Sequence, residues 1–334
     1  VRILNKLFLS KIIKFQKQRL IIVEGLVIKS TGNWYQVKLN DGELIYCTIK
    51  GRLRLRGIKT TNPVVVGDRV KLDRVPGQAE GIITDILPRH NHIIRKSTKL
   101  SKLSHIIAAN IDLALLVVTI RQPRITAGFI DRFLVTAEAY HIDAALVFNK
   151  IDIYQTEDLE KLHQWAAIYR DAGYPTFNVS ALTGQNIDEL KSAVAGKINL
   201  FSGVSGVGKS ALINCIEPGL ELATGRISSY NEKGRHTTTY SEMHPLTIGG
   251  YIIDTPGIRE FGLVEFQKHE IAERFPEMRR YMHDCHFNNC THTHEPDCAV
   301  KQAVEEGRIP LSRYDSYLRI YNDDYLDKEL WEWE

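Results

Sequence analysis

One eight-residue stretch leaves its neighbourhood little freedom: Gly203-Val204-Ser205-Gly206-Val207-Gly208-Lys209-Ser210 satisfies the pattern G-x-x-x-x-G-K-[ST]. The apolar run Ile198 to Phe201 before it reads as a strand. The glycines allow a tight turn that aims successive N–H groups at an anion, and Lys209 to Ile216 reads as a helix whose N-terminus favours negative charge. In that arrangement Lys209 reaches the β- and γ-phosphates of a nucleotide, Ser210 ligates Mg2+, and Ala211 adds an N–H in the first turn. The order of motifs is unusual, because Asn149-Lys150-Ile151-Asp152, a base-reading sequence that ordinarily follows such a loop, here precedes it.

Phosphates do not name a base; the other motifs do. Ala144 to Phe148 is an apolar run expected as a buried parallel strand, and Asn149 to Asp152 sits at its carboxyl end, where open α/β sheets bind ligands. A carboxylate at Asp152 can accept both the ring N–H and the exocyclic amine of guanine, a pattern adenine lacks. Lys150 can lie along the base and Asn149 can bridge to neighbouring loops. Val179-Ser180-Ala181 closes the next apolar strand, with the Ala181 N–H expected to meet the guanine carbonyl oxygen. Tyr251-Ile252-Ile253 then runs into Asp254-Thr255-Pro256-Gly257, where Asp254 fits water-mediated Mg2+ binding and the Gly257 N–H fits the γ-phosphate. Between loop and strand lies Gly234-Arg235-His236-Thr237-Thr238-Thr239, from which Thr238 is expected to complete the Mg2+ shell. GTP and GDP with Mg2+ are the ligands implied.

The elements therefore run base loop, second base loop, phosphate loop, switch I, switch II, a circular permutation of the Ras-like order. The new joint is short, Val194-Ala195-Gly196-Lys197, and permits a turn. Switch II now feeds directly into the C-terminal segment. Ile258 follows Gly257 where Ras-type enzymes carry a water-orienting glutamine, so intrinsic hydrolysis is expected to be slow. His236 is the nearest candidate to position the water; Arg235, Arg259 or a group on an RNA partner are alternatives.

Near the C-terminus, Cys285-x4-Cys290-x-His292-x5-Cys298 gathers three of the chain's five cysteines with one imidazole, a donor set suited to one closed tetrahedral Zn2+ site. His283, His286 and His294 crowd the region as alternative ligands. Cys47 and Cys215 are isolated and read as small buried hydrophobes.

From Ile21 to about Arg95 the texture changes to short β-rich runs broken by Gly, Asn and Asp. Five strands, Leu20 to Val27, Trp34 to Leu39, Leu44 to Ile49, Arg69 to Val75 and Gly81 to Ile86, predict a small OB-like barrel. Between them, Lys50 to Lys59 alternates arginine with leucine, so a strand there would put Arg52, Arg54 and Arg56 on one face, a candidate RNA contact. Trp34 and Tyr46 could stack on bases, although isolated aromatics more often enter a core. The net charge of +3, from 43 basic and 40 acidic residues, excludes a uniformly basic nucleic-acid binder and requires any such surface to be local. Residues 1 to 19 carry Arg2, Lys6, Lys11, Lys14, Lys17 and Arg19 without an acid, with apolar runs too short for a membrane span, and read as a basic arm or initial helix. Metal-spaced thiols without a spanning segment point to a reducing cytoplasm, and a monomer is expected. The division that follows is a basic arm over 1–19, an OB-fold RNA-binding domain over 20–97, a circularly permuted GTPase over 98–264, and a mainly helical zinc-binding domain with an acidic tail over 265–334.

Taken together, the barrel, the base loop ahead of GVSGVGKS, the GRHTTT and DTPG segments and the run CHFNNCTHTHEPDC resemble the bacterial ribosome small-subunit-dependent GTPase A family over about residues 20 to 320. That resemblance implies a GTPase that binds the small ribosomal subunit and its rRNA late in assembly, is stimulated by it, and leaves after hydrolysis. The residues alone also allow a GTP-dependent regulator acting on another RNA or protein, or a nucleotide-binding module with no significant turnover.

Overall fold

A computed structural model of the chain describes residues 21–31, 34–49, 63–75, 77, 79–95, 105–220, 241–254 and 267–322. Two compact units result: described residues within Val1–Asn110 and Thr237–Met243 form one, and those within Ile111–His236 and His244–Glu334 form the other.

In the first unit, period-two alternation builds a closed five-stranded barrel from β1 (Ile21–Ser30), β2 (Tyr35–Leu39), β3 (Leu44–Ile49), β4 (Arg69–Arg74) and β5 (Glu80–Ile86). The strand order is β1-β2-β3-β5-β4, with β4 returning to pair with β1 and a parallel β3–β5 pair among otherwise antiparallel ones. Tyr35, Val37 and Leu39 of β2, Ile45 and Cys47 of β3, Val70 and Leu72 of β4 and Ile83 of β5 fill the interior. Gly25 is required where β1 crosses β2, because a Cβ there would lie 2.5 Å from Val37 Cγ1 and 2.9 Å from the Lys38 carbonyl oxygen. Burial pushes the Cys47 thiol up to about 12, against the pull of Arg74, so it behaves as an inert core group. The preference of isolated aromatics for the core fails at Trp34 and Tyr46, which are half exposed: Ile45 and Cys47 take the inner positions of β3, and the pleat turns Tyr46 outward. A hairpin of β6 (His92–Arg95) and β7 (His105–Ala109), not foreseen from sequence, follows the barrel.

The second unit opens with a parallel sheet. Its strands and helices are β8 (Leu113–Val118), α1 (Ala127–Ala139), β9 (Ala144–Phe148), α2 (Thr156–Asp171), β10 (Thr176–Asn178), α3 (Ile187–Val194), β11 (Ile198–Ser202), α4 (Lys209–Ile216), the last two residues of β12 (Ser241–Pro245) and β13 (Tyr251–Asp254). The parallel order is β10-β9-β8-β11-β13. Every residue of β8 and β9 is buried, as strands covered on both faces require. Ser241 and Glu242, at the start of β12, belong to the barrel unit and pair there with Ser30 and Lys29 of β1.

The expected joint forms a turn, with the Lys197 N–H donating to the Val194 carbonyl at 3.3 Å and Gly196 at φ 72°. It is pinned from the side as well: the Gly196 N–H donates to Gly249 at 3.0 Å, the Tyr251 N–H donates to Lys197 at 2.8 Å, and the buried Asn199 amide donates to the carbonyls of Val194 and Lys197.

Three short helices follow, α5 (Pro276–Arg279), α6 (Ala299–Glu305) and α7 (Leu311–Tyr321). Their core, with Phe275, Met278, Val300, Ile309, Tyr317 and Ile320, also takes in Val135 of α1. Beside it Arg313 is 1% exposed and donates to Asp131 Oδ1 at 2.5 Å and to Glu277 Oε1 and Oε2 at 2.6 and 3.3 Å. The Ser316 hydroxyl donates to Asp131 Oδ2 and the Tyr169 hydroxyl donates to Asp131 Oδ1 at 2.9 Å. Removing one member of a buried ion network leaves uncompensated charge. Arg313→Ala is therefore expected to destabilise this unit by about 3–5 kcal/mol, and Arg313→Lys to recover only part, since an ammonium lacks the planar array of nitrogens that pairs with both Glu277 oxygens while reaching Asp131. Urea unfolding of the three proteins measures both.

Candidate nucleotide site and metal centre

The carboxyl ends of β9 and β11 bring the base loop and the phosphate loop together. Gly203 sits at φ 143°, where a Cβ would fall 2.4 Å from the Val117 carbonyl oxygen, and Gly208, at φ 94°, caps α4 with its hypothetical Cβ 2.4 Å from Asn149 Nδ2. Both positions are closed to any side chain. Ser205 and Gly206 are exposed at the loop's tip, Val204 is half buried and Val207 is buried, while Ser210 and Ala211 lie in the first turn of α4. Lys209 Nζ donates to the carbonyls of Gly203 and Val204 at 2.5 and 2.9 Å, which holds the ammonium over its own loop.

Asn149 is the hub. Buried, it donates from Nδ2 to the Val207 carbonyl at 2.8 Å and accepts at Oδ1 from the Ala181 N–H at 3.0 Å, bridging the phosphate loop to the second base loop. The Ala181 N–H, expected to face a guanine carbonyl, thus lies within reach of the Asn149 amide, whose acceptor end points between the loops. Lys150 has φ 67° and stretches to donate from Nζ to the Gln122 carbonyl at 2.7 Å; burial lowers its pKa while Asp152 opposes the shift. The Ser180 hydroxyl donates to Asp152 Oδ1 at 2.5 Å and accepts from the Thr183 N–H, which fixes the exposed carboxylate from below. Cys215, expected as a buried hydrophobe, is half buried and donates from Sγ to the Ala181 carbonyl at 3.2 Å, because its place on α4 faces the second base loop.

Asp254 ends β13, next to the β11 strand that feeds the phosphate loop. His236, Thr238, Gly257, Ile258, Arg52, Arg54 and Arg56 lie outside the described residues. Sequence reasoning missed the segment Thr119 to Ile125, which leaves the central strand β8 and supplies the Lys150 acceptor, and it missed Tyr154. Neither carries a motif.

At the C-terminal end Cys285, Cys290, His292 and Cys298 place their ligand atoms within 4.8 Å of one another and form a group that could hold a metal ion. His292 Nδ1 lies 3.5 and 3.4 Å from the sulfurs of Cys285 and Cys298, and those sulfurs are 3.9 Å apart. Burial pushes the Cys290 thiol up to about 12 and raises Cys298 as well. A divalent cation among these donors would reverse that preference by stabilising thiolates. The Tyr314 hydroxyl donates to the His292 carbonyl at 2.6 Å and the Tyr317 hydroxyl to the Thr291 carbonyl, so α7 holds the histidine's backbone. Burial disfavours ionisation of Glu295, but bonds from the Thr291 hydroxyl and nearby backbone amides outweigh it and bring its pKa down to about 2. The alternative ligands His283, His286 and His294 are exposed and stand outside the group.

A parallel sheet with base loops ahead of the phosphate loop, and with Asn149 binding the two together, defines a circularly permuted P-loop GTPase. The chain belongs to the RsgA GTPase family, whose GTPase domain matches residues 86–264 and whose N-terminal domain matches residues 24–83. It is 51% identical over 301 residues to the small ribosomal subunit biogenesis GTPase RsgA of Bacteroides fragilis, covering 90% of this chain and 97% of that protein. The same-named protein of Porphyromonas gingivalis W83 is 50% identical over 312 residues, covering 92% and 98%. Among solved structures, YjeQ from Thermotoga maritima superposes with a TM-score of 0.76 at 35% identity, covering 94% of this chain and all of that one. YloQ, a circularly permuted GTPase, gives 0.73 at 31% identity over 91% and 95%. The chain is accordingly a GTP-hydrolysing enzyme.

The glycine geometry sets a test. Gly208→Ala forces a Cβ onto the Asn149 amide in a left-handed backbone, and GDP affinity measured by titration is expected to fall at least tenfold, about 1.4 kcal/mol. Gly184→Ala, at φ 78° but with open space around it, provides the comparison for strain alone.

Proposed function

We propose that this GTPase binds the small ribosomal subunit and hydrolyses GTP during the subunit's late maturation. One observation carries the reading: half-identity over nearly the full length of proteins named as small-subunit biogenesis GTPases. The four-part division at 1–19, 20–97, 98–264 and 265–334 belongs to the same proposal, as do a monomeric state and a cytoplasmic location. Among the described residues no helix is long and apolar enough to cross a membrane.

In this reading Asp152, held by Ser180, accepts the two guanine donors, Lys150 lies along the base, and the N–H groups of Gly203 to Ala211 surround the phosphates. Lys209 exchanges its loop carbonyls for phosphate oxygens. Ser210, Thr238 and Asp254 would hold Mg2+, which supplies charge neutralisation on the β- and γ-phosphates when bound. The Gly257 N–H meets the γ-phosphate. With Ile258 unable to hydrogen-bond water, His236 positions it once switch I is ordered by the subunit. Arg52, Arg54 and Arg56 neutralise rRNA phosphates. The three thiolates and Nδ1 of the C-terminal group suit one structural Zn2+ with no open position.

If one externally ordered group positions the water, small subunits are expected to raise turnover by about 10²-fold, the worth of one placed donor, while large subunits and free RNA do not. Equal stimulation by another RNA would favour the regulator alternative. Elemental analysis is expected to find one zinc per chain, and its chelation to loosen residues 285–298 while GDP affinity is retained.

A further inference from the structure

The two loops that frame the nucleotide site must diverge from adjacent strands. β8 and β9 pair in parallel up to Val118 and Phe148, and the ladder continues one step further with the Asn149 N–H donating to the Val118 carbonyl at 2.9 Å. The next bond of a parallel ladder would run from the Ile120 N–H to the Asn149 carbonyl. Instead a side-chain hydroxyl stands between them: the Ile120 N–H donates to Tyr154 Oη at 2.8 Å, and that hydroxyl donates to the Asn149 carbonyl at 2.8 Å. Both backbone groups stay satisfied while the strands part by the width of an oxygen atom.

We infer that Tyr154 is a positioning residue for guanine recognition, a wedge that opens the crevice between β8 and β9, holds Asn149 on one side of it and, on the other, the segment that receives the Lys150 ammonium. The inference rests on the guanine-binding reading above. Two further contacts give the wedge its reach. The segment it holds through Ile120 is closed on itself by the Thr119 hydroxyl donating to the Pro123 carbonyl at 2.5 Å, and its Gln122 carbonyl receives Lys150 Nζ at 2.7 Å. Pro123 Cδ lies 3.7 Å from where a Cβ on Gly206 would stand, so the same segment borders the phosphate loop. Lys150 is thus held at both ends by one hydroxyl: at its backbone through Asn149, and at its ammonium through the Thr119 to Ile125 segment. Burial pushes Tyr154 up to about 12, despite the Ile120 bond, so the hydroxyl keeps the proton it donates near neutral pH.

Tyr154→Phe keeps the ring and deletes the wedge. GDP and GTP affinities are expected to fall together about tenfold, 1.4 kcal/mol, with kcat at saturating GTP and subunit unchanged, so that the loss appears in KM. The preference for GDP over IDP, which lacks the exocyclic amine, is expected to narrow, because a loosened base loop reads the base edge less well. Thr119→Val, isosteric and outside the nucleotide contacts, relaxes the same segment and is expected to shift both quantities in the same direction. It also keeps the test open if the phenylalanine variant does not fold. Thermal unfolding runs alongside: a fall in Tm with parental GDP affinity and GDP/IDP ratio would overturn the inference and leave Tyr154 a core tyrosine. The parent's own preference for GDP over ADP is measured in the same series. If that preference is missing, the guanine reading falls first; if it is present and both variants match the parent, only the wedge falls.

Discussion

A guanidinium buried between two carboxylates is expensive to bury and more expensive to break, and the second unit is organised around one. Asp131 lies on α1 and Glu277 on α5, while Arg313 and Ser316 lie on α7; Tyr169 of α2 joins the same carboxylate. The ring faces of Phe275 and Tyr169, 4.8 and 5.5 Å from the guanidinium carbon, cover what the hydrogen bonds leave open. Four helices therefore share one charge-balanced point, which apolar packing alone would leave free to slide. Outer pairs, Arg279 with Glu138 and the Arg280 guanidinium with the Asp171 carbonyl, lie on the same seam but are exposed enough to contribute little.

The nucleotide site is built on a different economy, in which backbone groups are satisfied by a few amide and hydroxyl side chains placed at strand ends. Asn149 uses both ends of its amide, Ser180 both donates and accepts, and Tyr154 does the same. These three side chains are tied before any ligand is considered, which preorganises the loops and lowers the ordering cost of binding. The exposed groups, the Asp152 carboxylate and the tip of the phosphate loop, are the ones a guanine nucleotide would meet.

What was legible in the sequence follows from how local its cause is. The phosphate loop, with helix start at Lys209, and the strands Ala144–Phe148 and Tyr251–Asp254 were readable because glycine conformations and short apolar runs act within a few residues. The barrel strands were readable from short β-rich runs broken by turn residues, and the cysteine cluster from spacing. Asp131 and Arg313 were not, since they are separated by 182 positions and each, taken alone, reads as a surface charge. Tyr154 was invisible for a related reason: its role depends on a strand pairing two segments away. Tyr46 shows the opposite failure, where a rule about aromatic burial overrode the pleat that its own neighbours Ile45 and Cys47 define.

Switch II leads directly into the C-terminal segment, and the packing sets the form that any coupling between them can take. α7 bonds on one side to Asp131 of α1 and on the other, through Tyr314 and Tyr317, to the carbonyls of His292 and Thr291 at the metal group. A rigid helix fastened at both faces transmits displacement of α1 and resists independent motion of the cluster. α1 in turn is capped by Thr126, immediately after the segment that receives Lys150 and borders Gly206. Nucleotide-dependent movement of the metal group therefore requires either that α1 shift with the base and phosphate loops or that the Arg313 network open. The second carries the full penalty of exposing or unpairing a buried charge. A small concerted shift of α1 and α7 is the cheaper route, because the Arg313 network then stays closed and the Cys285–Cys298 group moves as one body with α1.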